Sequence, residues 1–174
     1  MAGSYGVLVY DIPTSLAALG NRLRKLIRKV SIRVNLSVYM IQWGQKAQIE
    51  AMVARAETKS EAKVPNIRIL KFDSVSDAEA RDMAVQGLRD YINGIAAGLR
   101  KKVAKMQKED MTEMEAWAQA SFVKKVKEAE GLAVAFQLME DVEPALKAVS
   151  ELVEAQLSLD RVRRMLKKEV ARAV

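Results

Sequence analysis

The apolar pattern changes period once along this chain of 174 residues, close to residue 75, and that change limits the folds open to it. Before it, short runs of β-branched and aromatic residues alternate with amphipathic stretches; after it only helical stripes remain. Tyr5 to Ile12 is an apolar run closed by Pro13, which reads as a strand buried on both faces and central in its sheet. From Thr14 to Val30, the residues Leu16, Leu19, Leu23, Leu26, Ile27 and Val30 recur at helical spacing. Ser31 to Trp43 returns to period two, with Ile32, Val34, Leu36, Val38 and Met40 on one face, and fits a strand or a bent pair of strands ending at Gly44. Gln45 to Glu57 is helical through Ile49, Met52, Val53 and Ala56, and a polar loop leads past Pro65 to a strand over Ile67 to Phe72. This order predicts a small α/β domain over residues 1–75 and a helical domain over residues 76–174.

In the second half, Ser76 and Glu79 have capping-box spacing, with Val75 and Ala80 placed as a hydrophobic staple. The stripe of Ala84, Leu88, Ile92, Ile95, Leu99, Val103 and Met106 predicts a helix of about thirty residues. Thr112 and Glu115 form a second capping box before the stripe of Met114, Ala118, Phe122, Val126, Ala129, Ala133, Phe136 and Met139. Pro144 is expected to begin a third helix or to kink the second. The last stripe uses Leu146, Val149, Val153, Leu157, Val162, Leu166 and Val170. Spacing this regular favours an antiparallel bundle, a long helical hairpin or a coiled coil. Gly87, Gly94 and Gly98 each cost the first long helix about 1 kcal/mol against alanine, which close packing against that face would offset.

Charge divides at the same place. Residues 1–75 carry 12 Lys and Arg against 5 Asp and Glu, while residues 76–174 carry 17 of each, so the whole formal charge of +7 belongs to the first half. A field of that sign concentrates polyanions, phosphate backbones first among them. Arg22, Arg24, Lys25, Arg28 and Lys29 lie on the polar face of the first helix, and Arg33 follows. Several cations on one rigid element suit a phosphate track that reads charge rather than base identity, and a solvated helix face is the alternative. Tyr5, Tyr10, Tyr39 and Trp43 can stack on bases, but aromatics on apolar strands are usually core. The clusters Arg100, Lys101, Lys102, Lys105, Lys108 and Arg161, Arg163, Arg164, Lys167, Lys168, Arg172 either extend such a surface or pair with Glu109, Asp110, Glu113 and Glu115.

The chain has no cysteine and no histidine, which removes thiol nucleophiles, thiolate metal sites and imidazole acid–base work. Asp11 is the one acidic residue among the first forty-nine and closes an apolar strand. There it either binds a hard cation such as magnesium, with a two-fold dimer bringing two copies to one ion, or caps the next helix or pairs with Arg22 or Arg24. No run approaches the roughly 18 apolar residues of a membrane span, and the start lacks a secretory signal, so a soluble cytoplasmic protein is expected.

Three motifs then resemble the CRISPR-associated adaptation family Cas-two. Val7-Leu8-Val9-Tyr10-Asp11-Ile12 is similar to its first strand, Arg33-Val34-Asn35-Leu36-Ser37-Val38-Tyr39 to its second strand pair, and Asn66-Ile67-Arg68-Ile69-Leu70 to a later strand. The resemblance covers about residues 4–74. It implies a ferredoxin-like α/β sandwich, hence an α+β chain, acting as a homodimer with Asp11 in place of the family's metal-ligand aspartate. It also implies a dimeric bridge that holds DNA between copies of the CRISPR integrase in antiviral defence, with magnesium-dependent nuclease activity in some members. Under this resemblance DNA is favoured over RNA, and the helical half docks the integrase or another protein. Where the family ends with a further strand that crosses to its partner, this chain turns helical. A repurposed assembly protein, dimerising through the sheet and oligomerising through the helices, is the alternative from another class.

Overall fold

A computed structural model describes residues 5–72, 77–109, 111 and 113–173, with the side chains of residue 77 and residues 166–173 outside the description. It is an α+β chain. The strands β1 (Tyr5–Asp11), β2 (Ser31–Asn35), β3 (Val38–Gln42) and β4 (Asn66–Lys71) join the helices α1 (Ala17–Ile27), entered through a 3-10 turn at Thr14–Leu16, and α2 (Lys46–Ser60). Three long helices follow, α3 (Asp77–Lys108), α4 (Ala116–Ala135) and α5 (Met139–Ala173). No helix among the described residues is long and apolar enough to cross a membrane.

The four strands form one sheet in the order β2-β3-β1-β4, and every neighbouring pair is antiparallel. β1 is central and covered on both faces, Leu8 and Tyr10 on one and Tyr5 on the other, which explains its nearly continuous apolar run. On one face Leu8, Tyr10, Tyr39 and Ile41 meet Leu19, Leu23 and Ile27 of α1 and Ile49, Val53 and Ala56 of α2. Helix α2 ends at Glu61, whose φ of 51° places it in the left-handed region; Ala62 N–H reaches the Glu57 carbonyl and Glu61 N–H the Thr58 carbonyl. That pattern stops the helix without a glycine.

Two compact units make up the chain: Met1–Leu88 with Leu132–Leu138, and Arg89–Gly131 with Met139–Val174. The composition changes near residue 75, but the first unit runs on to Leu88 and takes in a distant segment. Within it, the other face of the sheet is covered twice. Gly87 of α3 lies on β2, where a methyl group would stand 2.8 Å from the Arg33 carbonyl oxygen and 2.9 Å from Ile32 Cγ2. Phe136 stacks on Tyr5 with centroids 6.3 Å apart, and the Gln42 amide donates to the Ala135 carbonyl. Glycine at 87 therefore serves a helix–strand contact. Gly94 faces open space and Gly98 makes only an ordinary contact with Phe122, so the three do not share one packed stripe.

In the second unit the helical stretches run up, down and up. Tyr91 reaches Glu128, a methyl group at Gly98 would touch Phe122 and Lys102 reaches Glu115, so α3 and α4 are antiparallel; Gln119 and Asp160 link α4 to α5. Ile92, Ile95, Leu99, Phe122, Val126, Val149 and Val153 are buried there. The expected break at Pro144 is corrected: α5 already starts at Met139, and Pro144 lies inside it. The chain turns instead at Gln137, with φ of 55°, where Leu138 N–H bonds to the Ala133 carbonyl and Gln137 N–H to the Val134 carbonyl. Both capping boxes depend on residues outside the described ones, namely Val75, Ser76 and Thr112.

Candidate nucleic-acid interface

Helix α1 buries Leu19, Gly20, Leu23 and Ile27 and turns Arg22, Arg24 and Lys25 outward; it ends at Ile27, short of the expected Val30, so Arg28 and Lys29, also exposed, lie just beyond it. Arg28 and Lys29 lie in the turns that join α1 to β2, where their N–H groups bond to the Arg24 and Leu26 carbonyls. Ser31, buried at the start of β2, donates its hydroxyl to the Ile27 carbonyl at 2.7 Å and ties the two elements together. Arg33 is two residues further on, in β2, and is exposed as well.

Individual cations differ in their freedom. Arg22 donates to Ser60 Oγ at 3.2 Å and braces α1 against α2. Arg33 donates from Nε to the Asn35 carbonyl at 3.2 Å, across the irregular end of β2. Arg24 lies beside the hydroxyls of Tyr10 and Tyr39, which stack at 5.4 Å and share a hydrogen bond of 3.1 Å. Burial first, then the bond to Tyr39, pushes the Tyr10 hydroxyl well above its ordinary value of 10.0, while Arg24 pulls it partly back. The Tyr10 hydroxyl thus gives Arg24 a polar neighbour at the edge of the core. Tyr5, Tyr10 and Tyr39 are buried and unavailable to bases. Trp43 is half-buried beneath Lys46, whose ammonium is 5.2 Å from the ring centroid.

Asp11 ends β1 opposite Asn66 of β4 and is exposed. It lies on the sheet face opposite α1. Among the described residues no group of three or more Asp, Glu, His or Cys is arranged to hold a metal ion. A cation at Asp11 would need most of its ligands from water or another molecule.

In the helical unit, Lys102 pairs with Glu115 at 2.7 Å, Lys105 with Glu109 at 3.5 Å and Arg164 with Glu113 at 3.2 Å. Those basic residues are answered by the acidic stretch, as the pairing reading requires. The hydrogen bond from Lys102 above all holds the Glu115 carboxyl below its ordinary value of 4.5. Two residues carry more than the sequence reading gave them. Trp117 is 70% exposed, with Lys102 5.5 Å from its ring centroid. Asp160 is fully buried and accepts from Gln119 at 2.8 Å, Gln156 at 3.0 Å and Met114 N–H at 3.4 Å. The available signal for Asp160 was its position seven residues after Val153, within the buried register. No family model, curated protein or solved structure matches this chain.

Proposed function

We propose that this chain is a dimeric, Cas-two-like protein that binds nucleic acid, duplex DNA foremost, through the outer face of α1. The β-α-β-β-α-β order with strands β2-β3-β1-β4 supports a ferredoxin-like first unit. The observation that carries the binding reading is the set of exposed cations Arg22, Arg24 and Lys25 on α1 and Arg28 and Lys29 in the turns that follow it, continued by Arg33, in a stretch whose one acid, Asp11, lies on the opposite face. Phosphate contacts displace condensed counterions, so each adds to the salt dependence of binding. In this reading the helical unit docks a protein partner, and the resemblance makes the CRISPR integrase the first candidate.

The test is a salt titration of binding to labelled duplex DNA, single-stranded DNA and RNA, with the intact chain and with Arg24, Lys25 and Arg28 all replaced by alanine. Losing three phosphate contacts lowers the slope of log K against log salt by about 2.7 on duplex DNA. An unchanged slope in a variant that melts like the parent refutes the reading. A second reading, assembly through the long helices, draws on Leu159, Val162 and Met165 of α5, which are 52%, 54% and 57% exposed. Particle growth with concentration and no binding to any nucleic acid would favour it.

A further inference from the structure

The two edges of the sheet are finished differently. At the β2 edge, the register with β3 shifts between Arg33 and Asn35, and the outward Arg33 carbonyl is met by Gly87 of α3. Such devices keep an edge from pairing with another strand. At the β4 edge, the register with β1 runs unbroken from Asn66 to Lys71, with no proline and no bulge. Phe72 N–H donates to the Tyr5 carbonyl, so Tyr5/Phe72, Val7/Leu70 and Val9/Arg68 are the hydrogen-bonded pairs of this ladder. The main-chain groups of Ile67, Ile69 and Lys71 must therefore point away from β1, towards a side on which no strand among the described residues pairs with β4. Beside that side lies a groove of about 380 Å³ between β4 and α2, lined by Val53, Ala54 and Glu57 on the helix and Ile67 and Ile69 on the strand.

We propose that the β4 edge joins a second copy of this chain, antiparallel and in one register, to give a continuous eight-stranded sheet. The proposal takes from the reading above only that the chain is a dimer, sets the two-fold axis at Ile69 where the resemblance implies one at Asp11, and is independent of the nucleic-acid part. Pairing is longest when centred on Ile69, the middle of the stretch from Asn66 to Phe72. In that register Ile69 faces its own copy, Ile67 faces Lys71 and Arg68 faces Leu70. Every outward N–H and C=O of Ile67, Ile69 and Lys71 then finds a partner. Centring on Arg68 would set two guanidinium groups opposite each other, a destabilising like-charge pair.

Charge is complementary along the groove as well. Glu57 accepts from Val64 N–H and from Lys63 of its own chain and so lies near the start of β4, where the chosen register brings the second copy's Lys71 as a further cation. The two-fold axis repeats that approach at the other end. Both α1 helices come to the same face of the joined sheet. The two Asp11 carboxylates are left more than about 20 Å apart, since three strand spacings and six residues of rise separate them. This dimer therefore offers no shared cation site at Asp11.

The experiment is light scattering on the full chain, with register-specific cross-linking. The parent is expected at twice its 19.4 kDa chain mass. Lys71→Pro removes an outward N–H that β1 does not use, and is expected to give a monomer that melts like the parent. Because the chain has no cysteine, R68C and L70C supply the only thiols. Arg68 and Leu70 would form a non-hydrogen-bonded pair, whose β-carbons are close enough for a disulfide. Oxidising the two variants mixed together is expected to give disulfide dimers, and each alone to give none. A monomeric parent, a dimeric Lys71→Pro variant, or no preference for the mixture overturns the proposal. Salt-dependent DNA binding, measured on the same parent sample, separates this outcome from failure of the nucleic-acid reading.

Discussion

Replacing glycine by alanine at two places in α3 should shift stability in opposite directions. At Gly94 nothing lies within 4 Å of an added methyl group, so Gly94→Ala gains the full helix preference of alanine, about 0.8–1.0 kcal/mol. At Gly87 the same gain applies, but the methyl group would stand 2.8 Å from the Arg33 carbonyl oxygen and 2.9 Å from Ile32 Cγ2. The first is fixed by the backbone, and Ile32 is 2% exposed and has nowhere to swing. Helix α3 must lift from β2 by about half an ångström, and overpacking of that kind costs about 1–3 kcal/mol. The net change for Gly87→Ala is a loss of up to about 2 kcal/mol. For a chain of this size 1 kcal/mol moves the melting temperature by about 2–4 °C, so the variants should diverge by several degrees. Urea unfolding followed by far-ultraviolet circular dichroism, with thermal melts alongside, measures both. A Gly87→Ala variant stabilised as much as Gly94→Ala would show that α3 does not rest on the β2 backbone.

Asp160→Ala leaves the side-chain amide of Gln156 and the N–H of Met114 without their acceptor, and should cost about 2–4 kcal/mol in urea unfolding; a change under about 0.5 kcal/mol would remove Asp160 from the core network. Glu57 accepts from Val64 N–H at 2.8 Å and from Lys63 at 3.1 Å, and the Val64 bond above all holds its carboxyl below the ordinary 4.5. Its contribution is therefore present in full above pH 4.5 and is lost as the pH falls through the lowered folded-state value. Glu57→Gln should flatten the acid limb of the stability profile, and an unaltered limb in pH-dependent melts would contradict this.

Much of the first unit could be read from spacing because its core positions are decided within single elements. Leu19, Leu23 and Ile27 bury one face of α1 and push its cations outward whatever the helix packs on. The same logic placed β1, β4 and the stripe of α3. What escaped was decided between elements. Leu36 continues the alternation of β2, yet it is 80% exposed, because the chain reverses there and the Asn35 side chain accepts from Leu36 N–H at 2.7 Å. Pro144 is a strong breaker by its chemistry, whereas the actual break uses Gln137, a residue with no special preference for it. Val162 fits the apolar stripe of α5 by spacing yet is 54% exposed, while Asp160 occupies the buried position. Two of its three donors, Met114 and Gln119, lie more than forty residues away in the chain. At the candidate interface the cations themselves were legible; the tyrosine pair beneath Arg24 depended on the β1–β3 register.

The first unit takes in Leu132–Leu138, and this has a consequence in time. During synthesis the hairpin of β2 and β3 leaves the ribosome long before Phe136 exists to cover Tyr5. At about 5–20 residues per second the delay is roughly 5–20 s. Through that interval one apolar face of the nascent sheet lacks part of its cover, a window for chaperones or for mispairing with neighbouring chains. A message cut short within α4 would leave the N-terminal unit unfinished as well as the helical one.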